Sequence, residues 1–182
     1  MAGPGAWERG AVSAEVEVPP ESPFALLTAA ERRAWFAFMK VQLRLRYEMN
    51  RQLQADSGIS LADYDLLVAL TSDPAGTMAM SALAARIGTE RSRTSHHAKR
   101  MATRGLVSLG AAADDRRVTE VSLTDQGRAT LLAAAPRHVE LVRAMFLDDL
   151  GPAALDELSG TLEQVYDRII EQGTLPRPAD HP

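Results

Sequence analysis

The sequence predicts a mainly α-helical fold that carries one small β-hairpin, an α+β arrangement. Three observations lead to this prediction: apolar residues recur at helical spacing along most of the chain, a short helix meets a longer one at Gly88, and two alternating segments enclose a charged turn. A short helix, a tight turn and a second helix form the helix-turn-helix pattern, and a hairpin after it is a wing. We therefore expect a winged helix-turn-helix domain joined to a helical dimerisation domain.

The composition is that of a packed globular chain without a membrane anchor. Of the 182 residues, 46 % are hydrophobic, yet no run of about 18 uncharged apolar residues is present to span a bilayer. The beginning of the chain lacks the basic-then-apolar pattern of a secretory signal, so a cytoplasmic location is expected. Cysteine is absent and the four histidines lack metal-ligand spacing, so neither a metal nor a cofactor is expected.

Charge is distributed unevenly along the chain. The net charge is −4, but residues 86–117 contain eight Lys or Arg against three Asp or Glu, whereas both flanking segments are acidic. A local excess of +5 in an acidic chain is typical of an anion-binding face. A solvated charged helix would show the same excess, so charge alone leaves both interpretations open.

The two ends of the chain are predicted to be tails, and a long helix follows the first of them. Residues 1–23 are rich in Gly, Pro and Glu and predict a disordered tail, and residues 174–182 predict a flexible one. Thr28 and Glu31 form a capping box that begins a helix reaching about Ala55, within an N-terminal dimerisation segment at 24–56. Its apolar residues cover more than one face, which suggests burial by its own domain and by a partner subunit.

The predicted winged domain occupies residues 57–124. After Gly58, a second capping box at Ser60 and Asp63 begins a helix to Thr71, and residues 77–80 are long enough for one short strand pairing.

Within this domain, Ser81 is predicted to cap a two-turn helix that ends at Gly88, and Thr89 to cap a second helix over about 90–103. The wing follows, with strands at 106–109 and 118–123 and a tip at 110–117.

Two further helices are predicted over 125–173, the first of them capped by Thr124. Their apolar residues are spaced three and four apart, at Leu132, Ala135, Val139, Val142 and Phe146 and at Leu155, Leu158, Leu162, Val165 and Ile169. Such seams are typical of helices that pack on each other and on a second subunit, so a homodimer is expected. An ordinary buried helix face is the alternative. Pro136 is expected to kink the first helix.

The second helix of the motif presents a polar face of the kind that enters a DNA major groove. Thr94, Ala98 and Met101 share one face and are predicted to point into the core, with His97 at the flank. The opposite face carries the candidate DNA contacts Arg91, Ser92, Arg93, Ser95, His96, Lys99 and Arg100. Arginine holds guanine with two donors, serine reaches a base edge or a phosphate, and lysine neutralises phosphate. A solvated amphipathic helix is the alternative.

The charged hairpin tip decides between these two interpretations. A basic-tipped hairpin directly after a helix-turn-helix reaches the adjacent minor groove or its phosphates, and narrow minor grooves attract arginine. Arg116 and Arg117 are therefore candidate contacts, and Asp115 is expected to fix the direction of the Arg117 side chain. An Asp in a turn is also common without such a role. Helix and wing together predict binding to double-stranded DNA.

Three groups of residues also carry a family resemblance. They are the wing segment Asp115-x-Arg117-x-x-x-Val121-x-Leu123-Thr124-x-x-Gly127, the pair Leu83-Ala84, and the run Arg93-x-Ser95-His96-x-x-x-Arg100-Met101 with Arg104-Gly105-Leu106-Val107. On these residues the chain resembles the MarR family of winged-helix transcription regulators, over about residues 28–172.

The resemblance implies a homodimeric repressor. Each subunit would place its recognition helix in one half of a near-palindromic operator, and a small phenolic or anionic ligand, bound between the dimer helices and the winged domain, would relieve repression. The residues that would line such an effector site here are Trp35, Phe38, Met39 and Tyr64, with plain core packing as the alternative for each.

Two other function classes are alternatives to a DNA-binding regulator. A protein-interaction module on a winged-helix scaffold without DNA binding is the alternative function, but the +5 segment argues against it. An enzyme is not expected, because the sequence contains no nucleophile-base pair, phosphate-binding loop or metal cluster.

Overall fold

The computed structural model describes residues 18–179, so the predicted tails lie in part, at 1–17 and 180–182, outside the described residues. The chain divides into two compact units between Arg46 and Tyr47. Along the chain, a 3-10 turn (Pro23–Leu26) is followed by α1 (Ala29–Ser57), α2 (Leu61–Thr71), β1 (Thr77–Ala79), α3 (Met80–Arg86), α4 (Arg91–Thr103), β2 (Val107–Ala111), β3 (Thr119–Leu123), α5 (Asp125–Val142), a π-helical turn (Arg143–Leu147) and α6 (Pro152–Gln172).

Both predicted capping boxes are confirmed. At the start of α1, the Thr28 N–H donates to Glu31 Oε2 at 2.7 Å and the Glu31 N–H donates to Thr28 Oγ1 at 3.3 Å. At the start of α2, Ser60 and Asp63 form the same reciprocal pair. Gly58 separates the two helices with φ +65°, a conformation that glycine adopts without a steric penalty.

The predicted caps of α3 and α4 are both wrong, by two residues for α3 and by one residue for α4. Ala79 rather than Ser81 precedes α3, because β1 pairs with β3 as far as Ala79 and the chain turns directly from strand to helix. Glu90 rather than Thr89 is the N-cap of α4, and no side chain caps either helix. The Thr89 hydroxyl instead lies 2.6 Å from the Thr94 hydroxyl, within hydrogen-bonding distance.

The wing is part of a three-stranded antiparallel sheet in the order β1-β3-β2. Val107 pairs with Leu123 and Ala111 with Thr119, so the hairpin tip lies between Ala111 and Thr119. The short pairing predicted for 77–80 is confirmed at Thr77–Ala79, which lies against β3.

The core of the second unit lies where α2, α3, α4 and the sheet meet. Fully buried side chains come from every one of these elements and from the end of α1, namely Leu53, Leu66, Leu67, Leu70, Leu83, Thr94, Met101 and Val121. Burial of large aliphatic side chains is the main source of stability in such a domain, at about 1.5–3 kcal/mol for each side chain. This core fixes the position of α4 relative to the wing.

The predicted apolar seams of the last two helices are not buried within the chain. None of their ten residues is buried, and Leu132, Val165 and Ile169 are 66 %, 51 % and 59 % exposed. The alternative of an ordinary buried helix face is therefore wrong for these positions. The α-helix predicted to include Phe146 ends at Val142 and continues as a π-helical turn.

No helix among residues 18–179 combines the length and the apolarity that a membrane crossing requires.

Candidate nucleic-acid interface

The outer face of α4 carries the predicted contact residues in the expected arrangement. Thr94, Ala98 and Met101 are buried, as predicted. On the opposite face, Ser95 is partly exposed and the other six candidates are exposed: Arg91, Ser92, Arg93, His96, Lys99 and Arg100. Four cations on one exposed helix face give the positive surface that phosphate requires.

The beginning of α4 is fixed by a buried hydroxyl rather than by a side-chain cap. Thr94 is 1 % exposed, and its hydroxyl donates to the Glu90 carbonyl oxygen at 3.2 Å while lying 2.6 Å from Thr89 Oγ1. A polar residue in this position therefore incurs no penalty for an unsatisfied buried group.

An open cavity of about 500 Å³ lies between the start of α2 and the outer face of α4. Its lining includes Arg93, His96, His97 and Arg100, together with Thr89 from the turn of the helix-turn-helix. Several donors and two guanidinium groups converge here, which suits an anionic group.

The wing tip positions Arg117 by a local ion pair, as the sequence predicts. Asp115 Oδ1 accepts hydrogen bonds from the Arg117 backbone N–H and from its Nε, both at 3.0 Å, and Oδ2 accepts from Nη2 at 3.0 Å. The pair holds the pKa of the Asp115 carboxyl below its usual value, because the Arg117 side chain and backbone donate to the charged form. The Arg117 side chain remains 91 % exposed and Arg116 is also exposed.

A buried charged cluster between α2 and α4 was not predicted from the sequence. The carboxyl of Asp63, 4 % exposed, accepts from Arg104 Nη1 at 2.7 Å, and His97 Nε2 lies 3.1 Å from its other oxygen. Arg104 also donates to the Gly58 carbonyl at 3.0 Å. His97 was expected only to flank the polar face, whereas it connects the two helices.

Electrostatics in this cluster favour the ionised form of Asp63. Burial alone raises the pKa of the carboxyl, but the contacts with His97 and Arg104 and the Ser60 backbone N–H outweigh burial and hold the pKa far below its usual value. The sequence signalled the Ser60 capping box, but no local pattern connects Asp63 with Arg104, 41 residues away.

The predicted effector residues lie in different environments. On α1, Trp35 and Phe38 are 44 % and 48 % exposed with ring centroids 5.8 Å apart, and Met39 is partly buried. Plain core packing is therefore wrong for Trp35 and Phe38 within the chain.

In the second unit, Tyr64 is partly buried, with its ring centroid 4.4 Å from that of His138. Burial lowers the pKa of His138, which lies within hydrogen-bonding distance of Gln52 at 3.2 Å. Ligand binding by any of the four effector candidates stays a prediction.

The second helix of the helix-turn-helix exposes a basic face, and an antiparallel hairpin with an arginine tip follows it. This combination is characteristic of the winged helix-turn-helix class of DNA-binding proteins. Residues 57–118 match the MarR family. No curated protein sequence matches the chain significantly.

Solved structures agree with this assignment. AbsC, a MarR family transcriptional regulator from Streptomyces coelicolor, is 34 % identical over 80 % of this chain and 98 % of its own, with a TM-score of 0.76. Sco3205, a MarR family regulator from the same organism solved in complex with DNA, is 32 % identical over 83 % and 95 %, with a TM-score of 0.77. The organohalide-sensing regulator RdhR-CbdbA1625, bound to 2,4-dichlorophenol, shares the fold at 21 % identity over 84 % and 89 %, with a TM-score of 0.69.

The chain therefore belongs to the MarR family of DNA-binding transcriptional regulators, a non-enzymatic family.

Proposed function

We propose that this protein is a dimeric repressor that binds a near-palindromic operator and is released from it by a small phenolic or anionic ligand. The observation that carries the proposal is the exposed basic face of α4 beside the arginine-tipped wing. Both elements belong to one packed unit, so a bound duplex meets them together.

In this proposal, α4 enters the major groove and the wing contacts the neighbouring minor groove or its phosphates. Arg93 and Arg100 have the donors to read guanine, Lys99 neutralises phosphate, and Ser92, Ser95 and His96 reach base edges or backbone. Arg91 begins the helix, where backbone N–H groups also favour phosphate. At the wing, Arg116 and Arg117 supply the charge, and Asp115 limits the directions that Arg117 samples.

The proposal of a dimer rests on apolar surface that is exposed to solvent in the single chain. α6 extends over 21 residues without one buried side chain among them, and Leu162, Val165 and Ile169 follow each other along one of its faces. Large exposed apolar stripes on a helix mark a packing surface for another protein. A two-fold dimer presents two copies of α4, which is why the operator is expected to be near-palindromic.

The ligand is proposed from the family and from the aromatic side chains. A relative of the same fold was solved with 2,4-dichlorophenol. In the first unit, Trp35, Phe38 and Met39 are proposed to contact such a ligand. In the second unit, Tyr64 is the proposed contact, with a ring for stacking and a phenol hydroxyl.

The first experiment is a titration of the protein with DNA from upstream of its own gene, followed by selection of bound sequences from a random pool. We expect sequence-specific binding that weakens steeply with salt. Absence of binding at low salt would overturn the proposal. It would favour the alternative of an interaction module, which a partner captured without operator affinity would then support.

A second experiment tests release. Phenolic and anionic aromatic compounds are screened by thermal shift, and those that raise the midpoint are added to the operator complex. We expect at least one compound both to stabilise the protein and to weaken operator binding, as linkage requires for a ligand that prefers the free form. Trp35→Leu and Tyr64→Phe, each made by itself, test the proposed contacts.

A further inference from the structure

Asp63 makes contacts that reach from the start of α2 to both the middle and the end of α4. Its Oδ2 accepts from the Ser60 N–H at 2.9 Å and from Arg104 Nη1 at 2.7 Å. Its Oδ1 lies 3.1 Å from His97 Nε2. The Asp63 side chain is 4 % exposed, so its charge is stabilised by these partners and hardly by water.

His97 connects the buried Asp63 carboxylate with Arg100 on the outer face of α4. Arg100 Nη2 lies 3.0 Å from His97 Nδ1. Because a guanidinium only donates, Nδ1 is the acceptor, and the proton of the neutral imidazole lies on Nε2. Nε2 contacts Asp63 Oδ1 at 3.1 Å, although the angle of this contact is not that of a hydrogen bond. The ring is thus placed between a buried carboxylate and an exposed guanidinium.

Arg100 differs in this respect from the other cations on the same helix face. Within residues 18–179, Arg91, Arg93 and Lys99 have no side-chain hydrogen bond, whereas Arg100 is held by His97. A side chain that is already oriented loses less conformational freedom when it binds, and its geometry is reproducible enough to read a base.

We propose that Asp63 and His97 are positioning residues that fix the Arg100 guanidinium for sequence-specific DNA contact. This inference rests on the proposed function of α4 as the recognition helix. A pre-oriented arginine matters for the operator, where geometry is read, and little for random DNA, which is held by charge alone. Asp63 and His97 therefore contribute to specificity although neither is required to touch DNA.

The test is a double-mutant cycle on operator affinity. His97→Ala and Asp63→Asn are each made in the wild-type chain and in Arg100→Ala, and binding to operator and to random DNA is measured for every variant. We expect His97→Ala to weaken operator binding roughly three- to tenfold in the wild-type chain and less than about twofold in Arg100→Ala. Binding to random DNA should change by less than about twofold in either chain.

His97→Gln is the conservative control. A glutamine offers an oxygen to accept from Arg100 and an N–H to face Asp63, so its operator affinity should stay within about twofold of wild type. Thermal unfolding of each variant separates folding defects from binding defects, and the His97 variants carry the test if Asp63→Asn unfolds.

Three results would overturn the positioning role alone, and a fourth would also overturn the proposed function. Equal losses of operator affinity in both backgrounds, or equal losses on random DNA, would overturn the positioning role while leaving the proposed function intact. An unchanged affinity for Arg100→Ala would also overturn it. A wild-type protein that binds no DNA would overturn the proposed function and this inference together.

Discussion

Asp115 binds Arg117 with both carboxylate oxygens, one of which also accepts the Arg117 backbone N–H, all at 3.0 Å. The arginine is thereby aimed outward from the hairpin tip while 91 % of its side chain remains in solvent. An ion pair this open to solvent contributes little to stability, because solvent and salt screen it. We expect the ion pair to serve instead to orient the Arg117 guanidinium toward DNA.

The Asp115–Arg117 pair predicts that Asp115→Ala has opposite effects on operator affinity in the wild-type chain and in Arg117→Ala. Arg117→Ala should weaken operator binding roughly tenfold and reduce the salt slope by about 0.9, the value of one lost phosphate contact. Asp115→Ala should weaken binding roughly two- to fivefold in the wild-type chain, because Arg117 loses its orientation. In Arg117→Ala, the same change should strengthen binding slightly, because it then only removes a negative charge. Fluorescence anisotropy at several salt concentrations checks all three, and a weaker complex in both backgrounds would contradict the orienting role.

The buried Asp63 predicts a specific dependence of stability on pH. Its pKa is lower in the folded than in the unfolded chain, so its contribution is complete above the unfolded value of 3.8 and is lost as pH falls toward the folded one. Near pH 7, Asp63→Asn should lower the free energy of unfolding by about 1–3 kcal/mol, a range reduced because its partner Arg104 is 43 % exposed. The difference from wild type should shrink below about pH 4.

Urea unfolding at fixed protein concentration measures this effect. Asp114→Asn, a change at an exposed carboxylate of the hairpin tip, is the control and should stay within about 0.5 kcal/mol of wild type throughout. A constant difference between Asp63→Asn and wild type over the whole pH range would show that charge is not involved.

Gly127 predicts a steric defect that no side-chain movement can relieve. A Cβ at this position would collide with the Leu106 carbonyl oxygen, a backbone atom that accepts from the Thr124 backbone N–H at 3.4 Å and cannot move without moving the chain. Gly127→Ala should lower the free energy of unfolding by about 1–3 kcal/mol, despite a gain in helix propensity of up to about 1 kcal/mol. Gly110→Ala, with open space around the added atom, should change it by less than about 0.5 kcal/mol. Equal effects of the two substitutions would contradict the close approach.

The exposed seam of α6 predicts a change of oligomeric state. Val165 is 51 % exposed in the chain, so Val165→Glu should leave the subunit folded. In a dimer that buries this face, an unpaired carboxylate would cost several kcal/mol, and sedimentation should then show monomers. Gln164→Glu introduces the same charge at the neighbouring exposed position, off the apolar seam, and should leave the dimer intact. A Val165→Glu protein that remains dimeric would place the interface elsewhere.

Much of this architecture was predictable from residues that lie close together in the chain. The capping boxes at Thr28 and Ser60 and the Asp115 to Arg117 pair connect groups two or three residues apart, so their geometry follows from local backbone conformation. Placing caps by residue type failed at Ser81 and Thr89. The end of β1, rather than the best capping side chain, decided where α3 begins. At the start of α4, the Thr89 hydroxyl instead meets the Thr94 hydroxyl, and Glu90 is the N-cap.

Apolar spacing, glycine turns and charge patterns act over a few residues, so the helix-turn-helix, the wing and the outward face of α4 were predictable from sequence. Three relationships were visible only in the folded chain: Asp63 meets Arg104 and His97, Gly127 lies against Leu106, and the α6 seam stays exposed in one chain. These relationships depend on how packed elements dock, and a buried charge or a close backbone approach has no local sequence pattern.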